Sequence, residues 1–220
     1  TGMRGTIAQR MLKSSQGSAN VTLTTQADVT LLTQLQKDLV SEWRKHRIRP
    51  LELDFIVSAV ARMLKLHPRL NAMLVENEVR ELSEVNVGVA TALPQGLVVP
   101  VIRQADQKDL LELAKAIRKV AKMSRNGDLV PEDTMGGTFT VTDLGAFDID
   151  VFTPIINSPQ VAILGVGRTL EQPVVYEGEV TKRSMKYLSL TFDHRALDGA
   201  PAGGFLRAVK RYLEAPADMK

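Results

Sequence analysis

Three histidines and no cysteine leave this 220-residue chain few groups able to move protons or attack carbonyls. His46 lies inside Trp43-Arg-Lys-His-Arg-Ile-Arg49, a run of cations that reads as a solvated basic helix end. His67 stands just before Pro68, where an imidazolium can offset the negative end of a helix. His194 is placed differently. It sits in Leu190-Thr-Phe-Asp-His-Arg-Ala-Leu-Asp-Gly199, after an apolar run and before glycine, where a strand end can project a side chain into a pocket. An imidazole in such a place can take and return a proton near neutral pH. The competing account is a surface ion pair with Asp193 or Asp198, and spacing alone does not choose between the two.

The rest of the composition narrows the field. Without cysteine there is no disulfide framework, no thiolate metal site and no enzyme-bound thioester, and three scattered histidines make no metal-ligand cluster. A chain 44% hydrophobic and 24% charged has the make-up of one soluble globular domain, 1–220. The formal charge of +3 is spread over mixed cations and anions, which argues against a nucleic-acid surface. No apolar run reaches the ~20 residues of a membrane span, and Thr1-Gly2-Met3-Arg4 opens no signal segment, so an intracellular protein that does not engage a membrane is expected.

Several elements must position these groups. Periodicity predicts a short amphipathic helix from Thr6 to Ser15, a Thr- and Val-rich strand over Asn20–Asp28, and helices from Val29 to about Arg47 and from about Asp54 to Leu66. Strands around Met73 and Val79 flank Glu76-Asn77, and Val85 to Ala92 and Leu97 to Ile102 flank Pro94-Gln95-Gly96, as two hairpins. A helix is expected from Asp106 through Met123, stopped at Asn126-Gly127. Strands follow at Gly137 to Val141, Val161 to Val166, Val174 to Tyr176 and Met185 to Phe192, then a last helix from about Pro201 to Leu213. Such irregular interleaving favours a mixed-sheet α/β or α+β layer sandwich over a repeating parallel fold.

The segment His194-Arg-Ala-Leu-Asp198-Gly199 resembles the His-x-x-x-Asp-Gly signature of the superfamily that unites chloramphenicol acetyltransferase with the acyltransferase (E2) cores of 2-oxo acid dehydrogenase complexes. The likeness to E2 cores extends over essentially the whole chain, in family order. It runs through Arg4-Gly-Thr-Ile-Ala-Gln-Arg-Met11, Leu53-Asp-Phe-Ile-Val-Ser-Ala-Val-Ala61 with His67-Pro68, and Gly96-Leu-Val-Val-Pro-Val-Ile-Arg103. It continues through Gly137-Thr-Phe-Thr-Val-Thr-Asp-Leu-Gly145 and Thr153-Pro-Ile-Ile-Asn-Ser-Pro-Gln-Val-Ala-Ile-Leu-Gly165.

The resemblance implies a chloramphenicol acetyltransferase-like α/β fold and acyl transfer between dihydrolipoamide and coenzyme A. It makes His194 the general base, and it makes Thr142 the hydroxyl that donates to the oxyanion, a contact worth roughly 3 kcal/mol. Asp198 holds the loop and orients His194, paired with an early arginine for which Arg4 and Arg10 are the candidates. Gly199 permits the tight turn into the last helix. With no cysteine to carry an acyl group, direct transfer and sequential kinetics are expected. The resemblance further implies a homotrimer in which His194 of one subunit faces Thr142 of the next, and a pantetheine arm bordered by Leu97 to Ile102.

Three departures from the family pattern shape the expectations. No lipoyl-bearing domain, subunit-binding domain or Ala/Pro-rich linker precedes Thr1, so a piece of a longer chain is expected. Its lipoyl group, and its contacts with the E1 and E3 components, would then come through domains outside it. Where many members carry a phosphate-binding arginine, Gln36 stands here, leaving Lys37 as the candidate for the coenzyme phosphates. The chain ends Glu214-Ala-Pro-Ala-Asp-Met-Lys220 rather than in an apolar tail, so a cage of trimers is expected to be altered or lost. A chloramphenicol-type O-acetyltransferase and a noncatalytic E2-like scaffold are the rival functions. The expected compartment is the cytoplasm of a prokaryote, or the mitochondrial matrix for a eukaryotic source.

Overall fold

The Thr- and Val-rich stretch that predicts a strand forms β1 (Asn20–Asp28), and it pairs with the last strand, β10 (Glu179–Asp193), from Asn20↔Asp193 to Asp28↔Met185. The structure is a computed structural model describing residues 2–94 and 96–219, without the side chains of Met3, Arg4, Thr6 and Asp218. Six strands make the main sheet in the order β1-β10-β9-β8-β4-β7. Here β9 is Ala162–Tyr176, β8 is Phe139–Asp143, β4 is Val87–Val89 and β7 is Val101–Ile102. The β8 strand is parallel to both its neighbours while the other pairs are antiparallel, so the sheet is mixed, as expected.

Helices α2 (Thr30–Trp43), α3 (Glu52–Leu66), α4 (Leu110–Asn126) and α5 (Gly199–Glu214) bury their apolar stripes in the core, and α1 (Met3–Gln16) docks beside the Gly96–Val98 strand. Phe55 of α3, Phe205 of α5 and Phe139, Leu164 and Phe192 of the sheet are fully buried. The Phe139 and Phe205 rings lie 5.6 Å apart, within the range of a favourable aromatic pair. No helix among the described residues is long and apolar enough to cross a membrane.

The predicted hairpin at Glu76-Asn77 is present as β2 (Ala72–Val75) and β3 (Glu78–Glu81), with both turn residues at positive φ. The two longer strands predicted next are each divided. Only β4 and β7 join the main sheet, while β5 (Thr91–Leu93) and β6 (Gly96–Val98) form a separate hairpin. Pro100 has no N–H to give a ladder, and past β4 the chain turns from β7 to β8, Ala90 N–H donating to Val141. The α4 helix starts at Leu110, not Asp106. Asp109 accepts from the Glu112 amide at 2.7 Å while Glu112 accepts from the Asp109 amide at 3.0 Å, a reciprocal cap stronger than any signal at Asp106. Gly127, at φ 78, ends the helix where expected.

The separate strands predicted at Val161 to Val166 and Val174 to Tyr176 are one strand, β9. Gln172-Pro173 suggests a break, yet β9 has left β8 by Val166, so Pro173 faces an unpaired edge where its missing N–H costs no ladder bond. Glu177 and Gly178, at φ 52 and 88, close the turn into β10.

Candidate active site

His194 is the first residue past β10, and its amide donates to the Ala19 carbonyl at 2.8 Å. The strand end is locked from within by Asp193. Its carboxylate accepts from the Ala19 and Arg195 amides at 3.2 and 3.1 Å and from the Arg195 guanidinium at 2.6 to 3.2 Å. Burial by itself raises the Asp193 carboxyl, but these hydrogen bonds outweigh it and hold the group below the usual carboxylate range. Asp193 is therefore engaged with Arg195 and does not restrain His194. The imidazole is left 46% exposed beside the Phe192 ring, at 5.7 Å between centroids.

Asp198, the residue before α5, is the acidic neighbour of His194, with Nδ1 and Oδ1 3.8 Å apart, beyond hydrogen-bond distance. Its side chain is 81% exposed and caps no amide of α5. The structure does not bring Arg10 to it: no ion pair joins them among the described residues. The side chain of Arg4 lies outside the described residues. Gly199 begins α5, as the turn requires.

Thr142 lies near the end of β8, paired with Gly165 of β9. Strand alternation puts its side chain on the face shared with Thr140 and opposite the buried Val141. That face is prepared. A Cβ on Gly165 would come within 3.0 Å of the Phe152 ring and 3.2 Å of Pro154, so glycine is what lets the 152–154 segment lie flat beside Thr142. Thr140 donates to Gln160 at 2.6 Å, and Gln160 donates to the Gly137 carbonyl at 2.9 Å, bracing β8 from the same side. Beyond it Phe147, Ile149, Val151 and Ile155 are exposed, an apolar run that follows directly on β8.

One chain does not unite these groups. Through Gly165, Thr142 lies level with Ser189 of β10, and His194 is five positions further on. That is roughly 17 Å along the strand and two inter-strand steps across, about 19 Å in all.

The remaining candidates have plain surroundings. Lys37 is exposed on α2, and the neighbouring Gln36 donates to the Pro50 carbonyl at 3.0 Å, so the residue at the expected arginine position is structural here. His46 is exposed in the short turn Arg44–His46. His67 departs from expectation: burial lowers its pKa, which disfavours a helix-end cation, and the ring packs edge-on to Phe205 at 5.8 Å. Among the described residues, no three potential ligands stand where they could hold a metal ion. Sequence reasoning also missed a buried charge cluster around Lys186. The available signal was a lysine within the otherwise apolar alternation from Met185 to Phe192.

Residues 1–220 match the family model described as 2-oxoacid dehydrogenases acyltransferase (catalytic domain). The chain is 45% identical over 218 residues to the dihydrolipoyllysine-residue acetyltransferase component of the acetoin cleaving system of Bacillus subtilis, covering 99% of this chain and 55% of that protein. It is 37% identical over 217 residues to the dihydrolipoyllysine-residue succinyltransferase component of the 2-oxoglutarate dehydrogenase complex of Haemophilus influenzae, covering 98% and 53%. The chain thus spans about half the length of these curated relatives.

Among solved structures it superimposes on Azotobacter vinelandii dihydrolipoamide acetyltransferase with a TM-score of 0.96, 32% identity and coverage of 100% of this chain and 91% of that one. In that enzyme a serine, a histidine and an asparagine, at successive intervals of 52 and 4 residues, were investigated for roles in the catalytic mechanism. The cubic core of a pyruvate dehydrogenase multienzyme complex matches with a TM-score of 0.95, 33% identity and coverage of 100% and 91%. A chloramphenicol acetyltransferase, at 12% identity and a TM-score of 0.56 over 93% and 94%, shares the fold.

Proposed function

The chain belongs to the 2-oxoacid dehydrogenase acyltransferase family as its catalytic domain, and on that premise we propose that it passes acyl groups between dihydrolipoamide and coenzyme A, with His194 as general base and Thr142 as oxyanion donor. The observation that carries the assignment is an interval. Thr142, His194 and Asp198 stand 52 and 4 residues apart, the spacing of the serine, histidine and asparagine of the Azotobacter enzyme.

The roles follow from the chemistry. The attacking thiol loses its proton to the neutral imidazole as its sulfur bonds to the thioester carbonyl carbon, and the carbonyl oxygen becomes an anion. A hydroxyl at Thr142 stabilises that oxygen. The intermediate then collapses, breaking the original carbon–sulfur bond, and the imidazole returns its proton to the departing thiolate. Nδ1 is the nitrogen nearer Asp198, which leaves Nε2 as the base. The Asp198 carboxylate favours that tautomer and orientation. An amide stands at the equivalent interval in the Azotobacter enzyme, so proton transfer by this residue is not required.

The ~19 Å that separates Thr142 from His194 within a chain is too long for both to touch one thioester. We assign the complete site to the junction of two subunits of a homotrimer, with His194 of one beside Thr142 of the next. The exposed run Phe147, Ile149, Val151 and Ile155 next to Thr142 supplies an apolar surface for that contact. The trimer would act within a 2-oxo acid dehydrogenase complex, with E1, E3 and the lipoyl group reaching the site through parts of the protein outside this sequence, in a prokaryotic cytoplasm. Lys37 is the proposed contact for the coenzyme phosphates.

The test is acyl transfer from acetyl-, isobutyryl- and succinyl-CoA to free dihydrolipoamide. The intact chain should be active and His194→Ala slower by about 100-fold or more, the scale of a lost general base. A folded trimer with no transfer in either form would return the chain to the scaffold reading, and transfer to hydroxyl acceptors alone would favour an O-acetyltransferase.

A further inference from the structure

On the other face of β8 from the Thr142 hydroxyl lies a cavity of about 440 Å³, lined in part by Glu52, Asp143, Gly145, Arg168 and Lys186. Lys186 is 3% exposed. Its ammonium reaches Glu52, the first residue of α3, at 3.0 Å and donates to the Gly167 carbonyl at 2.7 Å. Glu52 also accepts from Thr169 at 2.7 Å. Gly167 is available because β9 carries an extra residue here: Lys186 pairs with Thr169 and Leu188 with Val166, so Gly167 and Arg168 together oppose Tyr187. A third element closes the group. Asp143, directly after Thr142, accepts from the Gly145 amide at 2.7 Å and lies within the fields of both Lys186 and Glu52.

Stability is a poor reason for this arrangement. An apolar residue of similar size would fill the Lys186 position without desolvating an ammonium, and buried ion pairs commonly add nothing to stability over such a replacement. What the charge does supply is direction, because an ammonium bound to Glu52 and to the Gly167 carbonyl ties α3 to the β9 bulge, beside the Asp143 carboxylate that lines the same cavity at the end of β8. Thr142 lies between two residues anchored on this face, Val141 in the core and Asp143 in the cluster.

We propose that Lys186 is a positioning residue for acyl transfer: clamped by Glu52 and the Gly167 carbonyl and facing the Asp143 carboxylate, it fixes the end of β8 and so aims the Thr142 hydroxyl at the oxyanion. Lys186 touches no reactant. The proposal rests on the assignment of Thr142 to the oxyanion, and the experiment separates the two.

Lys186→Met, Thr142→Val and the double variant are compared with the intact chain in steady-state acyl transfer, with trimer formation and thermal melting measured on each. Thr142→Val should lower kcat by about 100-fold, and Lys186→Met by about 10-fold with KM for both thiols within about twofold, the pattern of an interaction made only in the transition state. In the Thr142→Val background Lys186→Met should cost less than about twofold, because a residue acting through a hydroxyl has nothing left to aim. Losses that multiply, a loss confined to KM, or no loss in folded Lys186→Met overturn the positioning role. A harmless Thr142→Val overturns the oxyanion assignment instead. Should Lys186→Met fail to assemble, Asp143→Asn, which keeps the acceptor for Gly145, is run through the same cycle. A kcat loss of about threefold that vanishes in the Thr142→Val background supports the proposal, and no loss or a multiplying loss overturns it.

Discussion

The Asp193 carboxylate holds the Arg195 guanidinium with both oxygens, and His194 between them is bound to neither. The same carboxylate accepts from the amides of Ala19 and Arg195, so the turn that presents the imidazole is held by groups other than the imidazole itself.

Asp193 makes this turn sensitive to acid. Its folded pKa lies below its unfolded value, so its stabilisation is fully present above the unfolded pKa of about 3.9 and is lost as pH falls through the lower folded value. Asp193→Asn is expected to melt earlier than the intact chain at pH 7, by about 1–3 kcal/mol, with the gap closing below about pH 4. Paired thermal melts across that range check it. A gap that stays constant to pH 2.5 would remove the carboxylate from the account.

A site shared between subunits predicts complementation. His194→Ala and Thr142→Val chains are each deficient, yet a trimer containing both has junctions where an intact His194 meets an intact Thr142. For random equimolar mixing, about a quarter of the junctions should be complete, and activity should recover to about that fraction. Unfolding and refolding the two variants together, against each refolded alone, measures it. Recovery no greater than the sum of the separate variants would place both groups within one chain.

Asp198→Asn separates orientation from proton transfer. With a 3.8 Å gap to Nδ1 and a mostly exposed carboxylate, the residue makes no hydrogen bond to the imidazole, and the proposed role is orientation. Its amide variant is expected to keep kcat within about tenfold of the intact chain, against about 100-fold or more for His194→Ala. Equal losses in the two would make Asp198 part of the proton path.

Two glycines predict opposite signs. A Cβ on Gly167 would lie 1.9 Å from the Asp150 carbonyl oxygen, a backbone contact that cannot be relieved by a rotamer change. Gly167→Ala should lose more than about 2 kcal/mol. In α5, the nearest atom to a Cβ on Gly203 is a Leu23 methyl at 3.8 Å, so Gly203→Ala should gain about 0.5–1 kcal/mol from helix propensity. Denaturant melts of both variants decide the matter.

The sequence by itself determined the alternation of elements, the Asn20–Asp28 strand to the residue, the Glu76-Asn77 hairpin and the Gly127 helix stop, because periodicity, turn chemistry and caps act within a few residues. It also singled out His194, Asp198 and Thr142, by local motif and resemblance. Only the tertiary structure decided that β9 runs unbroken through Pro173, since an edge position is a property of the sheet rather than of the proline. The same holds for His67, whose lowered pKa follows from its burial beside Phe205. It holds most of all for the site. That Thr142 and His194 lie about 19 Å apart follows from the register of three strands, and the cluster of Lys186, Glu52 and Asp143 joins residues 52, 143 and 186. Contacts across such separations depend on where long-range pairing closes, and no short-range signal carries that information.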